Sequence, residues 1–129
     1  MRTCLILLAH GSPDPRWRAP FEKLAATLKA EFGADRVKLA YLEYAAPSLE
    51  DVAGELAREG EGQCRLRILP LFMSGGGHVD RDIPGLVAAL GWKYPEIAAE
   101  ILPAAGEHPK VLAALREIAG EALRLPRNT

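Results

Sequence analysis

His10, Glu43 and His78 are the residues whose types and spacing permit chemistry, because each stands where an apolar run of strand length gives out. Residues 3–9 lead to His10, and Val37 leads through five further residues to Glu43. The run Leu69-Pro70-Leu71-Phe72-Met73 leads through Ser74-Gly75-Gly76-Gly77 to His78. Two imidazoles and a carboxylate make a borderline donor set, suited to Co2+, Fe2+, Ni2+ or Zn2+. Singly, each has a plainer reading: a histidine after a strand is commonly a hydrogen-bonding residue, and Glu43 a solvated strand end. Corresponding places on consecutive strands give the three their joint meaning. The glycine triplet allows positive φ and lets a ligand approach the main chain closely. His78 opens a helix, whose positive end disfavours imidazolium and keeps the ring in its metal-binding neutral form, while Glu43 pushes the other way.

Other candidates surround this trio. Arg16, Arg18 and Arg81 are able to receive carboxylates, since guanidinium matches a carboxylate fork, although each also reads as a solvated helix end. Phe72 and Met73 suit an apolar pocket wall. His108, in Gly106-Glu107-His108-Pro109, stands at the entry to a last helix and reads chiefly as an ordinary helix-start residue. The glycine stretch lacks the Gly-Lys-Ser/Thr of a phosphate-binding loop, and GxGxxG follows none of the strands. Phe72 stands where a nucleophile elbow needs glycine, which argues against a serine hydrolase built on Ser74, Asp80 or Asp82 and His108.

The elements that must position these residues alternate regularly. Residues 3–9 form a continuous apolar strand, and Gly11 to Pro15 a loop. Phe21, Leu24, Ala25, Leu28 and Phe32 then recur at helical spacing until Gly33. Val37 to Glu43 reads as a second strand. Pro47-Ser48 starts a helix with Ser48 as N-cap and Asp51 three residues on, close to a capping box, and Gly60 to Gly62 end it. Cys64 to Leu71 is the third strand. Ile83, Leu86, Val87 and Leu90 mark a third helix, with Asp80 and Asp82 in its first turn and Pro84 tolerated there. Ile97 to Leu102 is a fourth strand, and a helix from about Pro109 to Leu123 carries Val111, Leu112, Leu115, Ile118, Ala119 and Leu123 on one face. Four strands alternating with four helices predict an α/β fold, a three-layer α/β/α sandwich with a four-stranded parallel sheet. Ligands of such sheets bind beyond the carboxyl ends of the strands, where strand order reverses. His10, Glu43 and His78 should gather there, and Cys4 and Cys64 at the opposite edge.

The bulk composition narrows the function further. At 129 residues, 49% hydrophobic and 26% charged, the chain suits one domain, spanning 1–129, with one core. Sixteen Lys and Arg against 17 Asp and Glu give a net charge of -1, which supplies no case for nucleic acid or an anionic membrane. The apolar opening is too short to span a bilayer and runs into His10-Gly11-Ser12, so it reads as a buried strand of a cytoplasmic protein. Cys4 and Cys64 fit no CxxC pattern and read as buried thiols.

Three ordered motifs resemble one family: Leu8-Ala9-His10-Gly11-Ser12-Pro13-Asp14-Pro15-Arg16, Tyr41-Leu42-Glu43-Tyr44-Ala45-Ala46-Pro47-Ser48-Leu49, and residues 70–84 around Ser74-Gly75-Gly76-Gly77-His78. They are similar to those of the small class II tetrapyrrole chelatases, the sirohydrochlorin cobaltochelatase and ferrochelatase group, over nearly the whole chain. The resemblance implies a chelatase fold in the short single-unit form. It also implies a lyase that inserts a divalent metal (Co2+, Fe2+ or Ni2+) into sirohydrochlorin or a close relative, for cobalamin or siroheme. His10 and His78 would be the principal metal ligands, with Glu43 assisting, and these three the catalytic residues. Ser12, Arg16, Ser74, Gly75, Gly76, Gly77 and Arg81 would meet the substrate. Short members imply a homodimer, with the metal as substrate and no permanently bound cofactor. The competing reading is a non-catalytic carrier of metal or tetrapyrrole; a third is a silent subunit of a larger assembly.

Overall fold

The computed structural model describes residues 2–59, 64–74 and 78–126, the side chains of 78–81 lying outside that description. Strands β1 (Arg2–Ala9), β2 (Val37–Tyr41), β3 (Cys64–Pro70) and β4 (Ile97–Ile101) alternate with helices α1 (Pro15–Phe32), α2 (Leu49–Glu59) and α3 (His78–Lys93). A short 3-10 turn, Ala105–Glu107, leads into α4 (Pro109–Arg124). The helix starts follow from local chemistry. Asp14 caps α1 by accepting from the Arg16 amide at 2.9 Å, with Pro15 at the first helical position. At α2 the capping box is reciprocal: the Asp51 amide donates to Ser48 Oγ at 3.1 Å, and the Ser48 amide to Asp51 Oδ2 at 3.0 Å.

The four strands run parallel in the order β2-β1-β3-β4. The chain therefore crosses from β1 to β2 on one side and returns to β3 on the other, so strand order reverses between β1 and β3. Alternation along the strands divides the interior. Cys4, Ile6, Leu8, Leu66 and Ile68 pack with Leu49, Val52 and Leu56 of α2 and with Ile83 and Leu90 of α3. The opposite face, with Leu7 and Val37, meets Ala25 and Leu28 of α1. The two helical layers around the sheet make the three-layer sandwich.

β3 and β4 each end one residue before the expected Leu71 and Leu102, and two departures are larger. The second strand ends at Tyr41 and not at Glu43, because residues 42–48 leave the sheet in an irregular loop in which Tyr44 takes φ 62°. That loop closes on itself, with the Tyr41 amide donating to Pro47 O at 2.9 Å. The second departure is α4, which has the expected apolar stripe but buries none of its residues; Leu112, Leu115, Ile118 and Leu123 are all exposed. The connection into α4 is fixed at its start. Gly106 N donates to Phe72 O at 2.8 Å, and a Cβ at Gly106 would stand 2.1 Å from Met73 O, so only glycine allows this approach.

Candidate functional site

The exits of β1, β2 and β3 are tied to one another by backbone bonds just past the last strand residues. Leu42 N donates to Ala9 O at 2.9 Å, Glu43 N to His10 O at 3.0 Å, and Leu71 N to Leu8 O at 2.8 Å. His10 thus stands at the reversal point, with the Glu43 loop on one side and the 71–74 segment on the other. Gly11 makes this possible. Its φ is +93°, and a Cβ there would lie 1.8 Å from Glu43 O, so any side chain would drive the two loops apart.

His10 is exposed, and its ring rests on Phe72, with centroids 4.4 Å apart and planes tilted by 44°. Phe72 itself is buried in the α2–α3 core, so it holds the imidazole from a fixed position. A cavity of about 240 Å³ opens beside His10, lined by Gly11, Ser12, Trp17, Arg18, Phe21, Tyr41 and Leu71. Among the described residues no carboxylate lines it. Burial pushes the Tyr41 phenol above its ordinary value. Arg18 and Tyr41 also border a second cavity of about 530 Å³, which continues past Lys29 and the Lys38–Glu55 ion pair of 3.0 Å.

The other expected residues fall into three groups. Glu43 joins His10 through the main chain, and its exposed side chain stands in the loop after β2. Ser12 is used in building the loop: its Oγ accepts from the Asp14 amide at 3.1 Å, and its carbonyl from Arg18 Nη1 at 3.0 Å. Arg16 is engaged elsewhere, forking onto Asp14 with Nη2 2.7 Å from Oδ2, and this pairing holds the Asp14 carboxyl below its ordinary range. Ser74 and Met73 are exposed at the β3 exit. Gly75, Gly76 and Gly77 lie outside the described residues, and of His78 and Arg81 the backbone alone is described, in the first turn of α3. Among the described residues no three His, Cys, Asp or Glu side chains gather as a metal site; the imidazole of His78 is not among them. His108 serves the fold, capping α4 with Nδ1 accepting from the Lys110 amide at 3.0 Å.

Sequence reasoning missed Trp17, Phe21 and Tyr41 as cavity walls. A signal was present in Trp17 and Phe21, two aromatics four residues apart directly after the His-Gly-Ser loop, on one side of a helix.

A sequence profile of the CbiX family matches residues 4–122. The chain is 29% identical over 86 residues to a sirohydrochlorin cobaltochelatase of Methanococcus aeolicus, covering 67% of this chain and 59% of that one. It is 31% identical over 80 residues to the sirohydrochlorin cobaltochelatase of Sulfurisphaera tokodaii, covering 62% and 63%. The alignments thus span roughly three fifths of these curated relatives. A crystal structure of a CbiX protein from Marinobacter aquaeolei, named for cobalamin (vitamin B12) biosynthesis, superposes with a TM-score of 0.81 at 31% identity, over 94% of this chain and 97% of that one.

Proposed function

The chain belongs to the CbiX family, and from that premise we propose that it inserts a divalent metal, Co2+ foremost, into sirohydrochlorin during cobalamin formation. The observation that carries this reading is the placement of His10 at the reversal point of a parallel sheet, backed by Phe72 and facing a cavity with aromatic walls. Insertion exchanges two pyrrole N–H protons for M2+. The site must therefore hold a metal that is able to leave, and offer bases for two protons. His10 and His78 present the metal through neutral imidazoles, with open positions on the ion for the macrocycle, and one of them or Glu43 takes the protons. Fe2+ and Ni2+ suit the same donors, and siroheme formation is the corresponding use of iron. Arg18, at the rim of both cavities and loosely paired with Glu22 at 3.7 Å, and Arg81 are the cations that receive substrate carboxylates; Arg16 does so only by releasing the closer Asp14. Gly11 and Ser12 supply the close backbone wall of the cavity, and Ser74 and the glycines at 75–77 remain substrate-binding candidates on their sequence pattern.

The cavity beside His10 is too small to enclose a tetrapyrrole, since pockets for ligands of that size hold roughly 300–1,000 Å³ or more. A homodimer with the ring between subunits answers this. The uncovered stripe of α4 supports it, because an amphipathic helix with no buried residue is a face in want of a partner. Among the described residues no helix is long and apolar enough to cross a membrane. The compartment that suits the reading is the cytoplasm, where thiols such as Cys4 and Cys64 are kept reduced.

The test is an anaerobic absorbance assay of the purified chain with sirohydrochlorin and Co2+, Fe2+ or Ni2+ in turn. Repeated turnover that falls at least ~100-fold in His10→Ala and in His78→Ala is expected, the scale of a lost acid–base group. Stoichiometric binding of metal or ring with no acceleration of insertion would make the chain a carrier instead.

A further inference from the structure

The imidazole of His10 has two unlike sides. Phe72, which belongs to the α2–α3 core, stands on one with its centroid 4.4 Å away. On the α1 side lies the cavity walled by Trp17, Phe21, Tyr41 and Leu71. Trp17 is the wall that remains open to solvent, 69% exposed, and it sits on a turn that is already rigid. Asp14 caps that turn, Pro15 fixes its first φ, and Arg18 Nη1 ties it to Ser12 O at 3.0 Å. A backbone fixed before any ligand arrives leaves only the χ angles of the indole to be ordered on binding.

We propose that Trp17 is the platform on which one face of the tetrapyrrole ring lies, so that the ring approaches His10 from the α1 side while Phe72 closes the other. This rests on the chelatase reading and adds the residue that sets affinity for the ring. The chemistry selects a flat conjugated ligand with anionic arms: indole offers a stacking surface, none of the described carboxylates lines the cavity, and Arg18 puts a cation at its rim, its Nε 3.7 Å from Glu22 outside the cavity lining. The metal meets different residues, so ring binding and metal binding separate at this position.

The experiment uses the full chain and metal-free sirohydrochlorin under anaerobic conditions. Trp92, 88% exposed on α3, is the only other tryptophan, so Trp92→Phe leaves Trp17 as the sole indole reporter. Indole emission of Trp92→Phe should be quenched with the same Kd as the absorbance change of the ring. Trp17→Ala should raise that Kd about tenfold while Trp17→Phe stays within about threefold, Co2+ affinity being unchanged in both. Wild-type ring affinity in Trp17→Ala, or an equal loss in Trp17→Ala and Trp17→Phe, overturns the platform. So does a loss that tracks dissociation of the dimer in sedimentation, which would place Trp17 in a subunit contact. A wild-type chain that binds the ring but never inserts metal refutes the chelatase reading and leaves the Trp17 result standing. One that does not bind the ring overturns both.

Discussion

At the amino end of β1 and β3, Cys4 and Cys64 lie buried with their sulfurs 4.0 Å apart, free thiols packed as small hydrophobes. At the carboxyl end of the same two strands, His10 is exposed, Gly11 takes a φ that side chains rarely adopt, and the neighbouring loops are joined by single backbone bonds. The strands and their register are shared; only the side chains and the exits differ. One end holds residues that gain free energy by leaving water, and the other presents polar groups held in position by it. Under the proposed function, stability and chemistry fall at opposite ends of one sheet, and substitutions should be able to separate them.

Gly11→Ala should break the separation most severely, because it sits where backbone geometry and site geometry are the same thing. A methyl 1.8 Å from Glu43 O forces His10 and the 42–48 loop apart. Strain of this kind costs about 1–3 kcal/mol, and the displaced imidazole should lower metal insertion by ~100-fold or more. Thermal unfolding and turnover measured on one preparation would read both. Leu66→Ala sharpens the contrast from the other side. Leu66 is fully buried against the α2–α3 layer, so its loss should cost about 2–5 kcal/mol in chemical denaturation, while turnover per folded molecule stays at the wild-type level.

The smallest effect is one of pH. Burial, reinforced by the neighbouring Cys64, pushes the Cys4 thiol from an ordinary value of 9.0 up to about 11. The folded chain holds this proton more tightly than the unfolded chain. The stabilisation is therefore complete below about pH 9 and is lost as pH rises through about 11. Denaturation midpoints at pH 8, 10 and 11 should descend in the wild type and descend less in Cys4→Ala.

Much of this division was legible in the residues. Apolar runs of strand length, the Ser48–Asp51 cap and the Gly33 stop are local signals, and local hydrogen bonding and burial decide them. The reversal of strand order was expected as a place and not as a pair of strands, since order depends on crossovers that no short segment encodes. Glu43 was expected at a strand end because Val37 to Glu43 is continuous in pattern; the closure of Tyr41 onto Pro47 ended the strand two residues sooner. Arg16 read as a free cation, and a carboxylate two residues away claimed it. The stripe of α4 was legible as periodicity, but a stripe says that a face will be covered and not by what. Gly106 against Met73 fixes where that helix starts, a contact between segments more than thirty residues apart and invisible to any local reading.

The most direct measurement is an anomalous-scattering map of crystals soaked in Co2+. One strong peak is expected at the carboxyl end of β1 and β3, at about 2.0–2.2 Å from imidazole nitrogens of both His10 and His78, and lost in His10→Ala. A peak elsewhere with none at His10, or one undiminished in His10→Ala, would contradict it.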